Sequence, residues 1–130
     1  MSITFRSIAA VSAVAAIGLT GVAEGKTYKV SMVTKHSKVS GTKLTGNWNG
    51  KPFGRCPSKG KLLIPDTIQK WTCKGGTISF RSHATQVTDN TKGTWKITGG
   101  TGKFKGIKGG GTFTGKISAG NYNFVGKARF

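Results

Sequence analysis

Residues that could carry out acid–base or metal chemistry are few in this chain. Only two acidic residues, Asp66 and Asp89, lie beyond residue 25, and both fall in predicted turns. His36 and His83 have no partner at the spacing of a metal site or a catalytic triad. We therefore predict no catalytic residue, no metal site and no cofactor, and we favour a protein that is not an enzyme.

The two cysteines, Cys56 and Cys73, are predicted to form a disulfide, because an even count is typical of chains that fold in an oxidising compartment. A zinc site would need more ligands at closer spacing. A redox pair would favour C-x-x-C, which does not occur. A disulfide that closes a loop of this length raises the free energy of unfolding by on the order of 3 kcal/mol, because it lowers the entropy of the unfolded chain.

Two glycine-rich stretches have spacings close to those of nucleotide-binding motifs. Gly110–Lys116 matches G-x-x-x-x-G-K, but Ile117 occupies the position of the Ser or Thr that binds magnesium, and no helix is predicted to follow. Gly100–Gly106 departs by one residue from the dinucleotide motif and lacks its strand–helix–strand setting. Neither stretch is predicted to bind a nucleotide.

The charge of the chain is strongly positive. Twenty-one lysines and arginines oppose three acidic residues, a formal net charge of +18. Such a surface can bind an anionic envelope component, lipid or polysaccharide, or it can simply keep an exported protein in solution. The aromatic residues follow no pattern of single-strand binding, so we predict no nucleic-acid partner.

The first 25 residues have the organisation of a secretory signal peptide. One basic residue, Arg6, precedes an apolar run from Ile8 to Ala23, and small residues allow cleavage before Glu24 or Lys26. The run is shorter than the roughly 20 residues that a membrane-spanning helix requires. We therefore predict a signal helix in residues 1–25, a periplasmic or secreted location, and no transmembrane span after cleavage. Residues 26–130 have the length of one domain.

Beyond residue 25, apolar and polar residues alternate with the period of β-strands. In the last segment Tyr122, Phe124 and Ala128 share one face, while Asn123 and Lys127 point the other way. Ile64 and Ile117 are assigned to the inward face by the same alternation. Eight strands are predicted, at about 27–35, 41–48, 54–64, 69–74, 76–86, 91–98, 107–117 and 120–130.

Short, turn-rich connections favour neighbouring antiparallel strands, and eight such strands can close into a barrel that leaves no free edge. The predicted fold is therefore all-β, an eight-stranded antiparallel closed barrel, with a two-sheet sandwich as the alternative. In an antiparallel hairpin, the residue numbers of every opposed pair add up to the same value, here called the index sum. Pairing Cys56 with Cys73 places the centre of their hairpin between Ile64 and Pro65, with allowance for a bulge near Pro57.

The stretch Gly93–Phe113 is the most informative motif. Its segment Gly99–Gly106 resembles the G-G-T-G-[KR]-[FY]-x-G signature of allene oxide cyclase-like and dirigent-like β-barrels, in particular the small exported bacterial members. Gly50–Gly54, Ile64–Thr67 and Trp71–Thr77 are similar as well. The resemblance implies an eight-stranded barrel of the calycin-like, allene oxide cyclase-like type with an apolar cavity. The plant members hold their catalytic acid in that cavity, and no position of this chain matches it.

We therefore expect a barrel whose interior binds a small apolar or amphipathic molecule without transforming it. The alternatives are an envelope-associated module that binds anionic lipid or polysaccharide, and a cyclase or isomerase. For each inward aromatic residue the competing interpretation is plain core packing. The residues predicted to line the interior are Tyr28, Trp48, Trp71, Phe80, Trp95, Phe113, Tyr122 and Phe124.

Overall fold

A computed structural model describes residues 25–130, so the predicted signal helix lies outside the described residues. The described chain is all-β, and within it no helix is long and apolar enough to cross a bilayer. Short 3₁₀ helices occur at Gly102–Phe104 and Ile117–Ala119. The strands are β1 (Thr27–Thr34), β2 (Lys38–Ser40), β3 (Lys43–Lys51), β4 (Cys56–Leu63), β5 (Asp66–Cys73), β6 (Gly76–Gln86), β7 (Asn90–Gly100), β8 (Lys108–Lys116) and β9 (Asn121–Arg129).

Eight of these strands form a closed antiparallel barrel. The sheet runs β1-β9-β8-β7-β6-β5-β4-β3 and closes because β1 pairs with β3 as well as with β9. The predicted eight-stranded closed barrel is thus confirmed, and the sandwich alternative is not the observed fold. Closure leaves the eight strands without a free edge.

The ninth strand, β2, was not predicted. After β1 the chain bends at His36, whose φ is +57°, and then continues along the same edge of β3. β1 pairs with Trp48–Lys51, whereas β2 pairs with Lys43–Thr45. All three residues of β2 are exposed, so its sequence carries no alternation that could have revealed it.

The inward positions of the barrel are filled mainly by aromatic side chains. β7 shows the alternation clearly, with Thr91, Gly93, Trp95 and Ile97 buried between exposed neighbours. Trp71 and Phe80 are fully buried at the centre, with ring centroids 4.4 Å apart. Each such ring removes about 150–250 Å² of surface from water, so this cluster is the main source of hydrophobic stabilisation.

One end of the barrel, which we call the closed end, is sealed by side chains and by the disulfide. Phe104 projects from its 3₁₀ helix into the barrel and packs edge-on against Phe53 and Phe130, at centroid distances of 5.5 Å and 5.2 Å. Gly102 begins this turn with φ +61°, a conformation that favours glycine. The insertion of Phe104 by a glycine turn therefore closes this end.

The disulfide staples the β4–β5 hairpin at the same end. Cys56 and Cys73 are bonded, with their Cα atoms 4.5 Å apart. The register pairs Ser58 with Trp71 and Leu63 with Asp66, which gives the same index sum as the cysteine pair. The hairpin centre predicted from the cysteines is confirmed.

Candidate functional site: a cavity at the open end of the barrel

The opposite end, which we call the open end, contains a cavity of about 160 Å³. It lies where β3, β5, β7 and β9 begin and where β4, β6 and β8 end, because neighbouring strands are antiparallel. Alternate inward residues of these strands form its walls. One wall carries hydroxyl and amide groups, and the other carries aromatic and aliphatic groups.

The polar wall consists of Ser58, Thr67, Gln69 and Ser82 on β4, β5 and β6. The hydroxyl oxygens of Thr67 and Ser82 lie 2.5 Å apart, and Gln69 Nε2 donates to Thr67 Oγ1 at 3.1 Å. Ser58 Oγ accepts a hydrogen bond from Trp48 Nε1 at 3.0 Å. The groups therefore hold one another in place and form a preorganised polar surface inside a largely apolar barrel.

The apolar wall is built from Trp48, Phe113, Phe124 and Tyr122. The ring of Phe124 lies 4.8 Å from that of Trp48 and 5.1 Å from that of Phe113, measured between centroids. Tyr122 is half-buried, and desolvation, followed by the charge of Asp89, raises the pKa of its hydroxyl. Its phenol is therefore neutral at physiological pH and offers a hydroxyl beside the mouth of the cavity.

The eight residues predicted to line the interior occupy three different places. Trp48, Phe113, Tyr122 and Phe124 line the cavity. Trp71, Phe80 and Trp95 are buried in the aromatic cluster between the cavity and the closed end. Tyr28 lies at the closed end, where it stacks on Phe130 at 4.7 Å and remains 36% exposed.

Aliphatic residues surround the mouth of the cavity, and strand alternation predicted an inward direction for only some of them. Ile64 and Ile117, predicted to face inward along strands, lie instead in the connections after β4 and β8, where they are 66% and 46% exposed. Strand alternation ceases to determine direction once the chain enters a connection. The side chains at the mouth are Val39, Leu44, Leu62, Ile64, Pro65, Val87 and Ile117.

Asp66 lies outside the barrel, on the outer face of β5. Its carboxylate accepts hydrogen bonds from Arg81 Nε at 2.8 Å and pairs with His83 Nδ1 at 2.6 Å. The hydrogen bonds from His83 and then from Arg81 lower its pKa below the usual value. Asp66 therefore stays ionised in an external ion-pair network and offers no acid to the cavity.

Asp89 also lies outside, in the connection between β6 and β7. It accepts hydrogen bonds from the backbone N–H and the hydroxyl of Ser118, at 2.8 Å and 3.1 Å. These bonds, followed by the contact with Lys116, lower its pKa. Asp89 therefore ties the β6–β7 connection to the β8–β9 connection.

A second, wider depression of about 470 Å³ lies beside the mouth, over strands β1, β9, β8 and β7 and the end of β6. Lys35, Lys92 and Lys116 line it together with Asn90 and Asn123. The sequence did not identify it, because its residues come from five strands and share no motif. It adds positive charge and amide groups to the open end.

Within residues 25–130, no three histidine, cysteine or carboxylate side chains come together as a metal site would need. The walls of the cavity offer hydrogen-bonding groups on one side and aromatic rings on the other. Comparison with known proteins adds nothing, since no protein-family model, curated protein or solved structure matches this chain.

Proposed function

We propose that this protein is an exported barrel that holds the apolar part of a small amphipathic molecule in its open-end cavity, without transforming it. The observation that carries the proposal is the cavity itself, which has a polar and an apolar wall in a barrel that is otherwise filled. A filled barrel built only for stability would not need a preorganised polar wall facing empty space.

The size of the cavity limits the ligand. A volume of about 160 Å³ is close to that of an engineered apolar cavity of ~150 Å³ that accepts benzene, and smaller than the ~300–1,000 Å³ of a pocket that encloses a drug-sized ligand. The cavity therefore fits one ring or a short alkyl chain. A larger molecule would leave its remaining part in the mouth, among the aliphatic side chains.

The walls limit the chemistry of the buried part. The apolar wall, with Trp48, Phe113 and Phe124, favours a ring or an alkyl group through its contact area. Gln69, Thr67 and Ser82 favour a ligand with one hydroxyl, carbonyl or amide group, because a purely apolar molecule would leave part of that wall without solvent or partner. An alkylphenol has both properties and is a suitable probe.

We also propose that the barrel is related to the allene oxide cyclase-like and calycin-like barrels. The closed eight-stranded barrel and the glycine turn that inserts Phe104 support it. Cyclase chemistry of the kind found in the plant members would need an interior carboxylate. Among residues 25–130, Asp66 and Asp89 are the residues with side-chain carboxylates, and both lie outside the barrel. Binding without reaction is therefore the better-supported function.

Export is supported by the disulfide, which is compatible with an oxidising compartment. The cysteines are inward-facing and buried at the closed end, away from the cavity. The bond therefore serves the stability of the barrel in this proposal, and takes no part in binding.

The test is a fluorescence titration of the purified protein with 4-alkylphenols of increasing chain length, because Trp48 lies in the cavity wall. We expect saturable binding of one equivalent, with affinity that rises with chain length and then levels off when the cavity is full. The variant Ala84→Leu places a larger side chain in the cavity and should weaken binding at least about tenfold. Ser79→Leu, on the outer face of the same strand, is the control and should bind like the unmodified protein.

Both variants should keep the far-ultraviolet circular dichroism spectrum of the parent, because Ala84 packs only partly buried at the edge of the core, where the cavity leaves room, and Ser79 faces outward. Equal binding by Ala84→Leu and the parent would contradict the proposal, as would the absence of saturation with every alkylphenol.

A further inference from the structure

We propose that the open end of the barrel docks on a lipid bilayer that contains anionic phospholipid. In this arrangement the aliphatic side chains around the mouth enter the headgroup–acyl boundary, and the surrounding lysines contact lipid phosphates. The inference concerns the rim of the barrel and holds whether or not the cavity binds a small molecule.

The first observation is that exposed aliphatic residues gather at one end. Among residues 25–130 eight large hydrophobic side chains are exposed, and five of them belong to the open end. They come from β2, from the last residue of β4 and from the connections after β4, β6 and β8, and four of them also line the mouth of the cavity. The five, which we call the aliphatic rim, are Val39 (54% exposed), Leu63 (46%), Ile64 (66%), Val87 (51%) and Ile117 (46%).

The second observation is that lysines flank the aliphatic rim. Lys43 and Lys61 lie directly opposite each other on β3 and β4, and Lys38 belongs to the neighbouring β2. Lys35 and Lys92 line the wide depression on the other side of the mouth. All five are exposed. Positive charge therefore surrounds the rim on two sides.

The two acidic groups near this end do not cancel that charge. Asp66 is paired with Arg81 Nη2 at 2.7 Å and with His83, and Asp89 lies 3.3 Å from Lys116 Nζ. Each carboxylate thus compensates a cation beside it. The five flanking lysines remain to attract an anionic surface.

A bilayer accounts for both the exposed aliphatic rim and the lysines that flank it, whereas the other partners considered account for only one of these features. An acidic polysaccharide would contact the lysines and leave the aliphatic rim in water. A second copy of the chain could cover the rim, but its own lysines would face those of the first. Peripheral membrane binding combines buried apolar area with attraction to anionic lipid, and each signal alone is weak.

The experiment is co-sedimentation of the purified protein with vesicles of phosphatidylcholine, or of phosphatidylcholine mixed with phosphatidylglycerol. We expect binding to the mixed vesicles that weakens with added salt, and little binding to phosphatidylcholine alone. Equal partition into both vesicles, or into neither, would overturn the proposal. Preferential retention on an acidic polysaccharide column with no sedimentation would also overturn it.

Paired variants separate docking through the rim from general attraction. Val87→Asn with Ile117→Asn should weaken binding to mixed vesicles by about tenfold for each residue. Val125→Asn is the matched control, because Val125 has the same 46% exposure as Ile117 but lies on the outer wall of β9, away from the mouth. Equal losses in the two proteins would show that the rim does not insert.

Charge variants provide a second measurement that does not alter the rim. One triple variant removes three charges at the open end, by Lys38→Gln, Lys43→Gln and Lys61→Gln. Its binding to the mixed vesicles should weaken about fivefold for each lysine. Lys51→Gln, Lys74→Gln and Lys105→Gln remove the same charge at the closed end and should have little effect. If the two triple variants lost vesicle binding to the same extent, the attraction would depend on net charge alone, and the proposed orientation would be wrong.

Discussion

The three tryptophans of the barrel differ in what their indole N–H groups do. Trp48 Nε1 donates to Ser58 Oγ and Trp95 Nε1 donates to the carbonyl oxygen of Val125, both at 3.0 Å. Trp71 Nε1 is fully buried and has no hydrogen-bond partner among the described residues. A buried donor without a partner costs free energy, so the three indoles contribute unequally to stability although all are buried.

This difference predicts unequal effects of the same substitution. Trp95→Phe removes a hydrogen bond and leaves the Val125 carbonyl without that donor, whereas Trp71→Phe removes a donor that had no partner. Because the change in side-chain volume is the same, we expect Trp71→Phe to lower the free energy of unfolding by about 1 kcal/mol less than Trp95→Phe does. Urea denaturation followed by circular dichroism measures both values. A larger loss for Trp71→Phe would indicate that its indole has a partner, such as bound water.

At the scale of single elements, the β4–β5 hairpin combines a two-residue connection at the open end with the disulfide at the closed end. The connection consists of Ile64 and Pro65, and Leu63 pairs with Asp66 across it. Cys56 and Cys73 are 17 residues apart and lie in the register of the same hairpin. The bond therefore restricts the unfolded chain without requiring a change in the native strand pairing.

We expect Cys56→Ser with Cys73→Ser to lower the free energy of unfolding by on the order of 3 kcal/mol, since a loop of this size gains that much entropy when it is opened. Denaturation of the parent with and without reductant provides an independent value. Because both positions lie at the closed end, binding of alkylphenol by the folded variant should be unchanged. A loss of binding in the variant while its fold is retained would indicate that the two ends are coupled.

The elements differ in how well the sequence predicted them. The hairpin register followed from the two cysteines, since a disulfide across antiparallel strands fixes the index sum. β7 and β9 were recognisable because large apolar residues alternate with polar ones on them. β2 was missed because its three residues, Lys38–Ser40, are all exposed and its existence depends on the bend at His36 and on the part of the β3 edge that β1 does not reach. That edge belongs to tertiary structure, which no local pattern contains.

At the scale of the whole molecule, the two ends of the barrel are different. Phe104 and Phe53 fill the closed end, whereas Leu44, Ala84 and Tyr122 leave space at the open end. Alternation predicted that Trp48 and Trp71 both face inward, but it does not give the depth of a residue along the barrel axis. The depth of a residue depends on how the eight strands are staggered. The sequence therefore could not distinguish residues that line the cavity from residues of the core.

The aliphatic rim shows the same limit. Val39, Val87 and Ile117 are far apart in sequence, and each alone is an ordinary exposed residue. They become one surface only because antiparallel strands bring their connections to the same end. The positive charge of the chain was evident from composition, whereas its arrangement around an apolar ring required the fold.

The stability of the barrel in acid depends on the charge balance of the whole chain, which has few carboxylates and a large positive charge. Asp66 joins β5 to β6, and Asp89 joins two connections at the open end. The pKa of each is lowered in the folded protein from the usual 3.8, so the unfolded chain binds more protons in acid. Their contribution to stability is complete above about pH 5, where the unfolded chain is also ionised, and is lost as the pH falls through the folded-state pKa values.

We therefore expect the urea midpoint of the parent to fall between about pH 5 and about pH 2, as protonation removes both sets of hydrogen bonds and raises the positive charge further. Asp66→Asn with Asp89→Asn should start from a lower midpoint at neutral pH and show a smaller fall over the same range. Both carboxylates are close to solvent, so the effect should weaken in high salt. If parent and variant lost stability in parallel, the acid sensitivity would come from net charge, and the two aspartates would have no specific part in holding the open end together.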